Sequence, residues 1–272
     1  MKKIKRRMNK YLVAGLIITG IILVITLIGV FWTPYSPTAM KYGKFQAPTL
    51  AHLFGTDNFG RDIFSRVLKG TGTTLTIALA TVAIGAVIGT IVGAVTGYFG
   101  GLVDDVLMRL NDALTAFPSI LLALLIISIV GPGNKYNVVI ALGLVFIPSF
   151  ARVTRTQFAG LRDVNYVTSA RLMGAGSGRI LLVHLLPNIM RVLLPAITIG
   201  FNNAVLAEAS MSFLGIGVTP PDASLGYMLS EAQGMLKAGP WYAVCTGLTI
   251  VLLVFGVGLI GEGLQVQNRE AV

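Results

Sequence analysis

Between Tyr11 and Trp32 the chain runs 22 residues without a charged side chain, and between Thr73 and Val103 it does so again for longer. About 20 apolar residues in a helix span the roughly 30 Å hydrocarbon core of a bilayer. A helix that is apolar all round must be buried, either inside a large protein or in lipid. Further uncharged runs follow at Ala113–Val130, Tyr136–Ala151, Val192–Leu206 and Trp241–Ile260. The fifth continues past Glu208 as far as Pro221. Only 12% of the residues are charged and mean hydropathy is +0.80, where a soluble domain carries about 25% charged residues. These runs predict an all-α membrane protein with six transmembrane helices.

The charges that remain sort by side. Under a six-span topology the two ends share one side. The segments on that side hold 14 of the 21 Lys and Arg residues, the opposite segments 7. The positive-inside rule then puts both termini, and the long polar segment 163–188, in the cytoplasm. A net charge of +10 would suggest nucleic acid in a soluble chain, but here the basic residues flank apolar runs and orientation accounts for them. The first run is longer than the 7–15 residue core of a signal peptide. It ends in Phe31-Trp32-Thr33-Pro34, an aromatic interface before a proline, as an uncleaved helix does. Cys245 is the single cysteine, so no intrachain disulfide forms.

The segment DVNYVTSARLMGAGSGRILLVHLLPN, 163–188, is a polar island between two apolar runs. Asp163 is expected to cap a short helix over Val164–Met173. Gly174 and Gly176 break it, Ser177 caps a second turn, and Pro187 stops that turn. A helix of about 15 Å is too short to cross a bilayer but long enough to seat in a groove on another protein. Ala170 and Gly174, four apart, present small side chains on one face, expected to be exposed in the isolated subunit.

A second polar island, 33–72, carries Asp57, Arg61, Asp62 and Arg66, suited to a salt-bridged turn forming an outer cap of little energetic worth if exposed. Gly85, Gly89, Gly93 and Gly97 recur every fourth residue and form a smooth strip for close helix approach. Its partner is either a second membrane subunit or another helix of this chain. Glu208 is the one carboxylate well inside an apolar run. Such groups face a cavity or a partner, so Glu208 either lines a path or gate, with Ser212 one turn on, or pairs structurally within the bundle. Pro148 and Pro195 are expected to bend their spans, and 222–240 to be an outer loop.

Enzymatic chemistry finds little support. Ser177 and His184 have no acid placed to orient the imidazole. Gly174–Arg179 is glycine-rich but lacks the Gly-Lys-Ser/Thr ending that cradles phosphate. With His52, His184 and Cys245 alone, no soft-ligand cluster for a transition metal forms.

The 163–188 segment resembles the cytoplasmic coupling motif of ABC importer permeases. Ala170, Gly174, Leu186 and Pro187 match, while Thr168 stands where that family has Glu, Ser169 for Ala and His184 for Ile. Phe54-Gly55-Thr56-Asp57, Gly60-Arg61-Asp62, Ser65-Arg66, Asp105, Met108-Arg109, Ala207-Glu208-Ala209, Ser212–Gly215 and Gly226-Tyr227-Met228 resemble the C-type subunits of dipeptide, oligopeptide and nickel importers. The resemblance implies a type I ABC importer permease fold with a cytoplasmic coupling helix. It divides the chain into 1–72, an N-terminal helix and outer loop; 73–264, the transmembrane domain; and 265–272, a cytoplasmic tail. Tyr166, Thr168, Ser169, Ala170, Met173, Gly174 and Arg179 become the ATPase-coupling residues.

The implied partners are a second homologous permease in a heterodimer, two cytoplasmic ATPase subunits that bind ATP and Mg, and an extracytoplasmic substrate-binding protein, in the plasma membrane of a prokaryote. The chain itself binds no cofactor, metal or nucleic acid on this reading. Cargo stays open between peptides, nickel chelates and glutathione. The contrasting reading is a secondary transporter or channel without an ATPase, which wants ion-coupling residues or an inverted repeat.

Overall fold

The computed structural model describes residues 9–269. Lys2, Lys3, Lys5, Arg6 and Arg7 of the orientation argument, and the end of the expected 265–272 tail, lie outside the described residues.

Five helical runs are long and apolar enough to cross a membrane: α1 (Lys10–Phe31), α2 (Ile63–Phe99), α5 (Lys135–Leu161), the continuous run Ser177–Phe213, and α10 (Pro240–Arg269). The expected third span, Ala113–Val130, is not one helix. α3 (Gly101–Thr115) and α4 (Ser119–Val130) meet at 89°, and they make a sixth span only as a broken pair. Pro118 is the cause: it lacks an amide hydrogen and pushes Phe117 away from helical backbone.

Other expectations are corrected by local chemistry. α2 begins ten residues before Thr73, because Asp62 Oδ2 accepts from Ser65 N at 2.8 Å and caps it there. α2 therefore runs through residue 72, and α10 runs through residue 264. α5 runs on past Ala151 to Leu161, the charges of Arg152 and Arg155 being met by Asp112 and Asp104 of α3 at 2.9 and 2.5 Å. The 222–240 loop contains a helix, α9 (Leu225–Gln233), capped by Ser224.

The glycine strip resolves to the intrachain alternative. Gly85, Gly89, Gly93 and Gly97 lie against α5. An added Cβ on Gly89 would come within 2.7 Å of the Ile147 carbonyl oxygen, and one on Gly97 within 2.8 Å of Phe158 Cβ. α5 thus lies backbone-close along most of α2. Smaller glycine contacts, Gly15 with Gly256 and Gly263 with Leu12, seat α1 against α10.

One core joins α2, α5, α8 (Leu186–Phe213), α9 and α10 around Phe150, Phe158, Phe201, Met228 and Tyr242. A second, around Ile77, Ile127, Leu142 and Met211, holds α4 to α5 and α8. Alternating chain direction brings Lys10, Phe99, Leu161 and Arg269 to one end of the bundle with α6 (Asn165–Leu172). The starts of α2, α5 and α10 lie at the other end with α9.

Candidate functional site

α6 is eight residues long and asymmetric. Val167 and Ala170 are buried: Val167 joins the core that also holds Ile180 and Leu185, and Ala170 is only 4% exposed, so its face of the helix turns inward. This corrects the expectation of an exposed Ala170. A residue pair four apart shares a face, yet Gly174 lies past the helix end and is open on all sides. The exposed surface is the opposite one. Leu172 and Met173 are 85% and 81% exposed, joined by Thr168, Ser169, Gly174 and Arg179, with Tyr166 partly exposed. Leu182 and Val183 of the following helical stretch, not anticipated from the motif, are exposed as well.

The ends of α6 differ from expectation in detail. Asp163 does not cap it: its carboxylate pairs with Arg162, and Val164 occupies the cap position without a side-chain bond. The other end is well closed. Gly174 has φ +84°, the Ala175 amide donates to the Ala170 carbonyl and the Gly174 amide to the Arg171 carbonyl, both at 3.0 Å. That pair of bonds is a Schellman closure, which needs the left-handed residue glycine provides. Tyr166 Oη accepts from Asn188 at 3.1 Å, tying α6 to the start of α8.

The following turn is also corrected. Ser177 is inside α7 (Ser177–Arg179), not its cap, and Pro187 does not stop the helix. A π-helical stretch, Ile180–Leu185, precedes α8 (Leu186–Phe213), and Pro187 sits in the first turn of α8, where a missing amide hydrogen costs nothing. The exposed patch is therefore mechanically continuous with a helix that traverses the bundle. Further along, Pro195 leaves the Arg191 carbonyl without its helical donor. Asn268 Nδ2 of α10 takes it at 2.5 Å, locking α8 to α10.

At the far end of α8, Glu208 is fully buried. Its carboxylate accepts from Thr74 Oγ1 at 2.9 Å and Ser212 Oγ at 2.7 Å. Thr74 Oγ1 in turn accepts from Leu225 N at 3.2 Å, and Ser212 Oγ from Val218 N at 3.0 Å. The carboxylate thus links α2, α8, α9 and the turn after α8, the arrangement of the structural alternative.

The 33–62 island is likewise not an exposed cap. Asp57 is buried, and its Oδ2 accepts from both Arg61 and Arg66 at 2.6 Å. Glu231 of α9 meets the other sides of the two guanidinium groups at 3.0 and 2.6 Å and accepts from Tyr242 Oη at 2.8 Å. Asp62, expected in the same cluster, instead faces His52 Nδ1 at 2.8 Å, between the rings of Tyr35 and Tyr42. No sequence signal pointed to Glu231, Tyr242 or His52, which lie far from their partners or in presumed loop. Among the described residues no three His, Cys, Asp or Glu side chains gather as a metal site.

Residues 85–266 match the family described as binding-protein-dependent transport system inner membrane component. The chain is 36% identical over 266 residues to the dipeptide transport system permease protein DppC of Haemophilus influenzae, covering 95% of this chain and 90% of that one. It is 39% identical over 265 residues to the glutathione transport system permease protein GsiD of Escherichia coli, covering 96% and 86%. The fold is similar to that of a chain of the MetNI methionine ABC transporter in an inward-facing conformation, with TM-score 0.61 and 21% identity over 75% of this chain and 95% of that one.

Proposed function

The chain belongs to the family of binding-protein-dependent transport system inner membrane components, and on that premise we propose that the Leu172–Met173 surface of α6 couples it to a separate ATPase. It is a transmembrane permease subunit of a binding-protein-dependent transport system. The cargo is a short peptide. Relatives are named for dipeptide, peptide and glutathione transport, so the peptide reading is preferred over nickel. The working assembly pairs this chain with a second, homologous permease, two ATPase subunits that hold ATP and Mg, and an extracytoplasmic binding protein. Both termini and α6 lie on the cytoplasmic side, as the distribution of Lys and Arg argues.

The observation that carries the coupling role is the exposure of Leu172 and Met173 on a helix whose other face is buried and whose end is closed. A rigid apolar knob is what a partner groove can seat. Closure of the ATPases on ATP would push this knob, and the continuous helix behind it would carry the displacement into the bundle.

Met173→Asp tests this. A carboxylate in an apolar groove costs several kcal/mol, and each 1.4 kcal/mol is tenfold in affinity. Co-purification of the ATPases is expected to fall at least about tenfold, with the chain still in the membrane and paired with its sister permease. Unchanged ATPase association and unchanged ATP-driven uptake would overturn the coupling role.

A further inference from the structure

The exposed membrane-depth surfaces of the bundle are of two kinds. On α1 the exposed side chains from Leu16 to Phe31 are all apolar, and on α10 the exposed ones within the span are Val244, Leu248, Val251, Leu252 and Phe255. Those faces suit lipid. The face shared by α5 and α8 differs. Ser149 and Asn203 are exposed there, and among the described residues neither side chain forms a hydrogen bond. Asn203 is about 15 Å along the helix from the end of α8 at Phe213, near the middle of a bilayer of about 30 Å. An unpartnered amide at that depth is costly against lipid tails and belongs to a wet cavity or a protein contact.

A cavity is present. A hollow of about 300 Å³ between α4, α5 and α8 is lined by Ser119, Leu142, Phe146, Ser149, Asn203 and Ser210. A second of about 180 Å³ shares Phe146, Ser149 and Asn203 with it and continues along α8 past Gly200 and Ile199. A third, of about 330 Å³, shares Val153, Ala196 and Ile199 with the second and ends at Arg191 and Asn268 near the α6 end. Together they form a groove that follows one stripe of α8. Its two upper stretches contain hydroxyls and one amide but no charged side chain.

Resting on the permease reading above, we propose that this groove is the chain's wall of the cargo passage, and that Asn203 and Ser149 hydrogen-bond the peptide groups of cargo passing mid-membrane. An amide offers two donors and an acceptor, and a hydroxyl a donor and acceptors; both match a peptide group whatever side chains flank it. The apolar remainder tolerates varied side chains, and the absence of charge leaves no strong trap. The groove therefore recognises backbone, and selection among peptides is left to another subunit.

The test uses the complete transporter in membrane vesicles, in a Cys245→Ala background, with single cysteines in turn at Asn203, Ser149 and the lipid-facing control Val251. The probe is a small water-soluble methanethiosulfonate. Asn203→Cys and Ser149→Cys are expected to react at least about tenfold faster than Val251→Cys, with rates that change when ATP is added. Triglycine is expected to slow the Asn203→Cys reaction while glycerol at equal concentration does not. Equal effects of the two, or none from either, would overturn the peptide assignment. Reaction as slow as Val251→Cys, with the ATPases still co-purifying, would overturn the passage assignment and leave the coupling reading intact. Loss of the ATPases from the unmodified complex would instead sink the coupling reading. Loss of the sister permease in Asn203→Leu, without fast labelling of Asn203→Cys, would make the face a subunit interface and overturn the proposal.

Discussion

The two polar islands of this chain, 33–72 and 163–188, look alike in sequence: each mixes charge, glycine and helix-capping residues between apolar runs. In three dimensions they are opposites. The first closes on itself. Asp57, Arg61, Arg66 and Glu231 satisfy one another, Tyr242 extends the network, His52 and Asp62 form a separate pair, and four segments of the chain are tied together. The second leaves Leu172, Met173, Leu182 and Val183 outside, and the bonds that close the end of its helix are backbone. A polar island whose charges find partners within the chain holds the chain together. One that leaves apolar side chains outside has not used them to hold the chain, and on the function proposed above they are what the ATPase seats.

The largest effect that would break this comparison lies in the first island. Asp57→Asn leaves two buried guanidinium groups short of a counter-charge, and breaking such a pair costs about 3–5 kcal/mol. Thermal unfolding of the detergent-solubilised chain is expected to move down by several degrees, while Met173→Asp leaves it unchanged. Equal midpoints for Asp57→Asn and the unmodified chain would mean the network is ornamental.

A smaller effect is expected from Ala170→Trp. Ala170 is buried, so overpacking there costs about 1–3 kcal/mol. This variant should lose stability and ATPase association together, whereas Met173→Asp loses association alone. An unchanged midpoint for Ala170→Trp would reverse the assignment of the two faces of α6. The smallest effect is Glu208→Gln. The side-chain carbonyl can still accept from one of Thr74 and Ser212, and the net loss is about 1 kcal/mol or less. Uptake and assembly should stay near normal. Abolished uptake in an assembled complex would move Glu208 from the structural alternative to a role on the path.

Much of the fold was legible because membrane burial is a property of composition over a window. Every long helix coincides with an uncharged run, and the four-residue glycine period announced a close helix contact. Span ends were not legible from the uncharged runs. α2 begins ten residues before Thr73 because the Asp62 carboxylate caps it, and α5 passes Ala151 because Asp104 and Asp112, some 40–50 positions earlier, neutralise its arginines. The segment was legible as one that stands apart from the bundle, its geometry less so. The motif marked Ala170 and Gly174, and glycine at 174 does close the helix with a positive φ, but the exposed apolar side chains are Leu172 and Met173.

By itself, then, the sequence determined that this is a helical membrane protein, roughly where its apolar spans run, and which segment stands apart from the bilayer. Those follow from hydropathy and periodicity, which each stretch of chain carries alone; that it is a permease subunit came from its resemblance to a family. Only the tertiary structure decided which face of α6 is free, that the glycine strip meets α5, that Glu231 completes the Asp57 charge network while His52 pairs with Asp62, and that Asn203 and Ser149 share one groove. Each of those depends on a partner distant in sequence. Exposure and ion pairing are relations between segments, and the packing of α2, α5, α8 and α10 sets them.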